Sequence, residues 1–419
     1  MKIIYLHQYF NTLEMAGGTR SYEMARRLVA AGHEVHMVTS WRNSDRRQAA
    51  WFTTDEAGIK VHWLPVPYSN HMSYRQRIVA FIQFALRSMW KAKQLGGDVV
   101  FATSTPLTIS IPAIFAARSN RLPMVFEVRD LWPELPIAMG ALRNPIAKWM
   151  AQRLECWAYK HSEAVIALSP GMKDGVVSTG YPAERVAVIP NSSDNVEFKY
   201  VEQAAAQFRA EREWLRHRPL LVYGGTFGKI NGVDYLVKLA KELLEINVDI
   251  RVLLVGDGQD KEAVLEVAKQ AGVLGVNLFI EDSLPKHKMP ALLSAATISV
   301  SLFIDLPEMQ PNSANKFFDT LASATPILLN YGGWQHELVE ASACGLAMWR
   351  KPINEVALIV AQKICDDEWL NQAGNAARRL AETAFDRDHL AMLFGQVVTA
   401  SASRHGDDAQ KIAPGRFNV

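Results

Sequence analysis

The sequence predicts an α/β protein with two open parallel sheets. Short apolar runs alternate with longer amphipathic stretches, which is the pattern of βα units. A turn-rich cluster, Pro-Asn-Ser-Ser-Asp-Asn at 190–195, interrupts this pattern near the middle of the chain, and the pattern then restarts. The length of 419 residues also exceeds one ordinary core, since domains usually contain roughly 100–200 residues.

The composition is that of a globular protein, with 49% hydrophobic and 21% charged residues. Lys and Arg number 45 and Asp and Glu 43. This balance excludes a nucleic-acid partner recognised through bulk charge. The three cysteines are too few and too widely spaced for a disulfide framework or a zinc site. No signal peptide or membrane-spanning run is recognised, so we expect a cytoplasmic protein.

The first half contains six strand-length apolar runs and one clear helix. The helix, Thr19–Ala31, is expected to end before Gly32, because glycine is preferred just past a helix end. These elements predict a Rossmann-like domain over residues 1–195. The predicted strands are Lys2–Leu6, Glu34–Thr39, Val99–Thr103, Met124–Val128, Ala164–Ala167 and Val186–Ile189.

The second half repeats this alternation and predicts a second Rossmann-like domain over residues 196–400. Residues 401–419 are expected to form a mobile tail. Since ligands bind outside the carboxyl ends of strands in such sheets, we expect the two domains to face each other across a substrate-binding cleft. The predicted strands are Leu220–Tyr223, Arg251–Val255, Val276–Ile280, Ile298–Leu302 and Ile327–Asn330, and the helices include Val233–Ile246, Lys261–Ala271 and Asn315–Ala324.

Glycine-rich loops follow the first strand of each predicted domain. Glycines let the backbone approach a ligand closely, and the amino end of a helix favours negative charge, so both loops predict a phosphate site. A tight βα turn explains the same glycines, because the spacing is not G-x-G-x-x-G. A further glycine turn follows the next strand of the second domain. The residues assigned to the ligand are Gly17, Gly18, Thr19, Gly225, Thr226, Lys229 and Gly256.

The segment 311–319 opens a predicted helix with a cation in its first turn. Lys316 and the backbone amides near Ser313 suit a sugar diphosphate, and Asp319, one turn later, suits ribose hydroxyls. Asn315 is also explained as a helix cap. A cap does not explain Lys316, because cations are unfavourable in a first turn, and we therefore favour a ligand site.

Charged residues follow the strand Met124–Val128 of the first domain. Glu127, Arg129 and Asp130 lie where function tends to occur in an open α/β sheet, at the carboxyl end of a strand. An internal ion pair of Arg129 with Asp130 or with Glu127 is the alternative explanation.

Together these segments resemble the family 4 glycosyltransferases of the GT-B fold, over nearly the whole chain to about residue 400. The resemblance is greatest to the bacterial branch that contains N-acetyl-L-fucosaminyltransferases of O-antigen and capsule synthesis. It is carried by Tyr5-Leu6-His7-Gln8-Tyr9-Phe10, Gly17-Gly18-Thr19-Arg20-Ser21-Tyr22-Glu23, Glu127-Val128-Arg129-Asp130-Leu131-Trp132-Pro133-Glu134 and Asn315-Lys316-Phe317-Phe318-Asp319.

The resemblance implies a UDP-sugar donor held mainly by the second domain, an acceptor held mainly by the first, and retaining transfer without a metal or other cofactor. Thr226 and Asn231 stand where many members have Arg and Lys, and Pro311 stands where they have an acid. Diphosphate binding then falls to Lys316, Lys229 and backbone amides.

Arg129 occupies the position of the family's histidine, and we assign catalytic roles to Glu127, Arg129 and Asp130. Two other functions remain open from the sequence. One is a GT-B-shaped UDP-sugar epimerase, and the other is a sugar-nucleotide-binding subunit without catalysis.

The stretch Ser73–Leu95 predicts a basic amphipathic helix that contains no acidic residue. A second stretch, Arg143–His161, is also basic and aromatic and is expected to extend the same surface. Such a helix can lie in the interface of an anionic membrane, although packing on the sheet is the alternative. We therefore predict a peripheral protein on the inner face of the bacterial cytoplasmic membrane, with a polyprenyl-diphosphate-linked saccharide as acceptor. The alternating residues are Arg75, Arg77, Ile78, Phe81, Ile82, Phe84, Leu86, Arg87, Met89, Trp90, Lys91 and Lys93.

Overall fold

A computed structural model describes residues 1–15, 17–42, 50–68, 72, 74–104, 106–415 and 417. The chain forms two compact units, each with one sheet and surrounding helices. The predicted α/β class with two Rossmann-like domains is confirmed. The first unit comprises Met1–Pro190, Pro311–Ser313 and Asp388–Arg416, and the second comprises Asn191–Gln310, Ala314–Arg387 and Phe417–Val419.

The first unit has an eight-stranded sheet in the order β3-β4-β2-β1-β5-β6-β7-β8, in which only the β3–β4 pair is antiparallel. Its strands are β1 (Lys2–Leu6), β2 (Glu34–Trp41), β3 (Phe52–Glu56), β4 (Ile59–Pro65), β5 (Val99–Thr103), β6 (Met124–Val128), β7 (Ala164–Ala167) and β8 (Val186–Val188). Its first six helices are α1 (Arg20–Ala30), α2 (Tyr74–Leu95), α3 (Ser110–Asn120), α4 (Glu134–Ala138), α5 (Pro145–Lys160) and α6 (Pro170–Ser178).

Strand β1 shows why these runs are apolar throughout. Ile4 and Leu6 pack into the core on one face of the sheet, while Ile3 and Tyr5 pack into the core on the other face. Because successive side chains of a strand point to opposite faces, a strand covered by helices on both sides must be apolar at every position.

The hairpin β3–β4 is absent from the strands predicted by the sequence. Strand β3 is partly exposed at the sheet edge, so it lacks the continuous apolar run that identified the others. Ala57 and Gly58 connect the two strands with φ values of 54° and 81°. Positive φ at both central residues is typical of a tight hairpin turn.

The second unit has a six-stranded parallel sheet in the order β11-β10-β9-β12-β13-β14. Its strands are β9 (Leu220–Gly224), β10 (Arg251–Val255), β11 (Leu278–Glu281), β12 (Ile298–Ser301), β13 (Ile327–Leu329) and β14 (Gly345–Ala347). Its helices are α7 (Glu202–Ala210), α8 (Asp234–Glu245), α9 (Lys261–Gln270), α10 (Met289–Ala295), α11 (Asn315–Ala322), α12 (Trp334–Ser342), α13 (Ile353–Lys363) and α14 (Asp367–Thr383).

The domain boundaries differ from the predicted ones at 195/196 and 400/401. The first unit runs to Pro190, and the carboxyl-terminal region from Asp388 belongs to it as well. Helix α15 (Arg387–Ala402) lies almost wholly in the first unit, where Phe394 packs on Phe101 with ring centroids 4.8 Å apart. Helix α16 (Ala409–Ile412) follows, and the Ala413 carbonyl accepts a hydrogen bond from the Val188 amide at 2.9 Å. Residues 401–415 therefore complete the first core instead of forming a mobile tail.

Candidate functional site

Helix α11 presents a lysine in its first turn. Lys316 Nζ donates to Tyr223 Oη at 3.1 Å and to Asn231 Oδ1 at 3.4 Å, and it lies 4.3 Å from the centroid of the Tyr223 ring. Tyr223 ends the apolar part of β9, and Asn231 lies in the loop that follows this strand. The fold thus brings the first turn of α11 beside the loop after β9.

Within the described ranges, the ammonium group of Lys316 has only neutral partners. Burial lowers the pKa of Lys316 from 10.5 to about 7, and no acidic group counteracts this shift within the described part of the chain. The amino end of α11 adds a partial positive charge of its own. An anion bound here would interact with both the ammonium group and the helix dipole, which is the electrostatic arrangement of a phosphate site.

A side chain is excluded at Gly225 and at Gly256 for different structural reasons. A Cβ atom on Gly225 would lie 3.1 Å from Lys316 Nζ, so a side chain here would crowd the ammonium group. A Cβ on Gly256 would lie 1.8 Å from the Gly225 carbonyl oxygen. Gly256 is therefore required by the packing of two loops, whereas Gly225 borders the lysine directly.

Thr226 and Lys229 are exposed in the same loop. The Thr226 carbonyl accepts a hydrogen bond from Tyr223 Oη at 2.8 Å, which fixes the tyrosine that contacts Lys316. Lys229 opens a short 3-10 turn.

Asn315 is the first residue of α11, and the cap position is occupied by Ala314, which makes no side-chain cap. Capping therefore does not explain Asn315. Ser313 is buried and belongs to the first unit.

Asp319 is buried and already engaged in hydrogen bonds. Its carboxylate accepts from Ser193 Oγ at 2.8 Å and pairs with Lys286 Nζ at 3.0 Å. Lys286 Nζ also lies 4.7 Å from the centroid of the Phe198 ring. These contacts tie α11 to two neighbouring segments, so Asp319 has a structural partner that the ribose hypothesis did not anticipate.

In the first unit, Glu127 forms a fully buried ion pair with Arg20. Arg20 Nε donates to Glu127 Oε1 at 2.9 Å, and Thr103 Oγ1 donates to Oε2 at 2.6 Å. Arg20 also donates to the carbonyls of Ile189 and Pro190. Glu127 does not pair with Arg129, the partner considered from the sequence; its ion-pair partner Arg20 lies 107 residues away in α1. Because both carboxylate oxygens of Glu127 are engaged and its side chain is fully buried, we infer a structural role for this residue in place of the predicted catalytic one.

Arg129 lies beside His7 at the carboxyl ends of β6 and β1. Its Nη1 lies 3.3 Å from His7 Nε2, and its backbone amide donates to Ser104 Oγ at 2.9 Å. Burial, followed by the charges of Arg129 and Arg42, lowers the pKa of His7 well below its usual value, so the imidazole is neutral. Asp130 follows as a half-buried residue.

The Gly17-Gly18-Thr19 loop packs on Asn11. Asn11 Nδ2 donates to the Gly18 carbonyl at 3.1 Å, and a Cβ on Gly17, whose φ is 127°, would lie 2.6 Å from the same nitrogen. Thr19 occupies the cap position of α1 without a side-chain cap.

The predicted residues thus form two groups. One surrounds Lys316 in the second unit, and the other lies at the strand ends of the first. Sequence reasoning missed Tyr223 and Lys286 because their roles arise from contacts 93 and 33 residues away. It also missed the role of Arg20, although this residue stands in a motif that was recognised.

Comparisons with known proteins bear on the family and the fold of this chain. Residues 16–192 match the family described as glycosyl transferase 4-like domain. The chain is 26% identical over 273 residues to alpha-maltose-1-phosphate synthase of Mycolicibacterium smegmatis, which covers 59% of this chain and 68% of that protein. It is 22% identical over 417 residues to GDP-mannose-dependent alpha-(1-6)-phosphatidylinositol monomannoside mannosyltransferase of Mycobacterium tuberculosis, with coverages of 94% and 96%.

The structure of HepE from Anabaena in complex with UDP and glucose has a TM-score of 0.72 and 16% identity, covering 96% of this chain and 100% of that chain. At this identity the likeness shows the fold. The chain therefore has the GT-B fold, and its residues 16–192 match a glycosyl transferase 4-like domain.

Proposed function

We propose that the chain transfers an N-acetylated hexosamine or deoxyhexosamine, such as N-acetyl-L-fucosamine, from a UDP-sugar to a polyprenyl-diphosphate-linked saccharide, with retention of configuration. The product would enter O-antigen, capsule or exopolysaccharide synthesis. The observation that carries the nucleotide-sugar assignment is the ammonium of Lys316 at the amino end of α11, whose partners among the described residues are all neutral. The relatives support a nucleoside diphosphate, since HepE was solved with UDP and the mycobacterial mannosyltransferase uses GDP-mannose.

In this mechanism Lys316 stabilises the charge that develops on the leaving UDP. A preorganised cation acts strongly here because it needs no reorganisation as the glycosidic bond breaks. The acceptor hydroxyl attacks from the face that UDP leaves, and a donor phosphate oxygen takes its proton. Arg129 and Asp130 orient the acceptor or the sugar. The mechanism requires no metal ion.

An assay of UDP release tests this proposal against its alternatives. We expect UDP release from the correct UDP-sugar only when acceptor is present, and we expect the same rate in EDTA. A thermal-shift screen selects the donor, because a ligand that binds only the folded protein raises its melting temperature. Epimerised UDP-sugar without UDP release would identify the epimerase. Donor binding without turnover by any acceptor would identify the non-catalytic subunit, and loss of activity in EDTA with rescue by a divalent ion would contradict metal independence.

The membrane part of the proposal is supported by the outer surface of α2 and α5. Several large apolar side chains are exposed there among cations. Trp90, Trp149 and Met150 have exposed fractions of 58%, 56% and 60%. Lys93 and Arg153 lie over the rings of Trp90 and Trp149, both 5.4 Å from the ring centroid. Residue 73 lies outside the described residues. We call these two faces the basic aromatic surface; its other exposed apolar members are Ile78, Val79, Ile82, Leu86, Ile146 and Trp157.

Glu155, the acid in α5, does not belong to this surface. It is buried and accepts a hydrogen bond from Tyr159 Oη at 3.0 Å. Burial, with a smaller contribution from Glu134, raises the pKa of Glu155 to about 8. The exposed face of α5 therefore keeps its cations without an opposing charge from this residue, which favours contact with anionic headgroups. No helix in the described ranges is long and apolar enough to cross a membrane.

Liposome flotation tests the membrane contact. We expect binding that requires anionic lipid and weakens with salt. Replacing the exposed Arg75, Arg87 and Arg153 with Gln should weaken it by on the order of a hundredfold, since each basic residue near such a surface contributes about 1 kcal/mol. The matched control replaces three exposed cations of the second unit, Lys269, Lys288 and Arg379. Equal flotation of both triple variants, or no flotation of the wild type, would contradict membrane binding through this surface.

A further inference from the structure

Two arginines lie near His7 and Gln8 at the strand ends of the first unit. Arg129 contacts His7 Nε2 as described, and Arg42, just after β2, donates through Nη2 to Asn11 Oδ1. The charges of both arginines act on His7. The chain therefore gathers two guanidinium groups around one short segment, residues 7–11.

Neither guanidinium has an acidic partner among the residues that the structure describes. The side chain of Arg129 contacts a neutral imidazole and that of Arg42 a neutral amide, and no salt bridge reaches either group across the ranges that the structure describes. Arg42 is half-buried, and burial lowers its pKa. Two like charges close together and partly shielded from water are unfavourable unless an anion joins them.

The buried side chains between the arginines also have free hydrogen-bonding atoms. His7 is 3% exposed, and since its Nε2 faces the Arg129 guanidinium, the proton resides on Nδ1, which has no partner among the described residues. Gln8 is 1% exposed, and both atoms of its side-chain amide have no partner either.

The Gln8 backbone, in contrast, is fixed. Its carbonyl accepts from Ser40 Oγ at 2.6 Å and from Thr39 Oγ1 at 3.2 Å. Buried polar groups almost always have hydrogen-bond partners, so the unsatisfied side chains of His7 and Gln8, on a fixed backbone and beside two arginines without an acidic partner among the described residues, indicate a bound ligand.

We propose that Arg42, Arg129, His7 and Gln8 form an anion site of the first unit that binds a phosphate or diphosphate ester of the acceptor. Arginine binds phosphate oxygens through two parallel N–H donors, and His7 Nδ1 and Gln8 Nε2 add neutral donors. The residues of this site belong to the first unit, whereas Lys316 belongs to the second. The assignment of the anion to the acceptor rests on the proposed function, whereas the existence of the site does not.

Calorimetric titration of the full chain with inorganic pyrophosphate, in the presence of saturating UDP, tests the site. We expect pyrophosphate to bind while UDP is bound. Arg129→Gln and Arg42→Gln should each weaken it by on the order of tenfold or more, since hydrogen bonds to charged groups are worth about 1.5–3 kcal/mol. The exposed-arginine control Arg379→Gln should bind pyrophosphate as the wild type does. Gln8→Met, which changes no charge, should weaken binding with an unchanged melting temperature.

Two further titrations identify the source of the phosphate. Geranyl diphosphate represents a lipid-diphosphate acceptor and glucose 6-phosphate a phosphorylated sugar; tighter binding of one selects that source. The proposal is overturned if pyrophosphate does not bind, if UDP abolishes its binding, if the arginine variants retain it, or if glucuronate binds more tightly than every phosphate. Titration of the same variants with UDP tests the donor site independently, so failure of either site is distinguished from failure of the other.

Discussion

Replacing Lys316 with Met is expected to reduce glycosyl transfer by about 10²–10³-fold while leaving the protein at least as stable as the wild type. The loss follows from removing a preorganised charge at the leaving group. Stability should not fall, because methionine has an unbranched side chain of similar size and removes the cost of burying an ammonium group. Turnover and melting temperature of Lys316→Met and Lys316→Ala provide the measurement, with the exposed Lys269→Ala as control. Wild-type turnover in both Lys316 variants would remove this residue from the site.

The pH dependence of UDP affinity gives a second readout for Lys316. Its pKa in the ligand-free protein is about 7, and a bound diphosphate favours the charged form, so the pKa in the complex must be higher. Binding therefore takes up a proton above pH 7, and UDP affinity is expected to fall as pH rises from 7. Calorimetry at several pH values should show this slope in the wild type and not in Lys316→Met. A slope of equal size in both would assign the titration to another group.

Replacing Glu127 with Ala is expected to destabilise the protein by about 3–5 kcal/mol, because it leaves the buried Arg20 guanidinium without its counter-ion. The side chains of Arg20 and Glu127 are 2% and 0% exposed, so water cannot replace the lost carboxylate. Urea unfolding followed by tryptophan fluorescence measures the change, and the exposed Glu262→Ala serves as control.

The double variant Arg20→Met with Glu127→Leu separates structure from catalysis at this position. Replacing a buried ion pair by apolar residues of similar size is often close to neutral, so the double variant should recover most of the stability. Turnover should recover with it if Glu127 acts only through the fold. A Glu127→Ala protein with wild-type unfolding and greatly reduced turnover would restore the catalytic role predicted from the sequence.

The contacts of Glu127 show that a sequence motif alone does not distinguish a catalytic carboxylate from a structural one. Its place at the end of a buried strand made it a catalytic hypothesis, and the same place makes a buried structural ion pair possible. Only the position of Arg20 after folding distinguishes the two. Asp319 is a similar case, since its Lys286 and Ser193 partners approach from separate segments. The sequence around a carboxylate does not show which distant residue will pair with it after folding.

Local sequence signals determined the α/β class and most strand positions, because period, length and turn residues act within a few positions of each other. They also led to the prediction of a ligand site at Lys316, since a cation in a first helical turn is unfavourable without a ligand. The tertiary structure decided what depends on distant contacts: the return of α15 and α16 to the first core, the inward direction of Glu155, and the neutral surroundings of Lys316. These features arise from burial and from contacts between residues remote in the chain. Burial shifts the pKa of a charged group, and the folded chain determines which partner it meets.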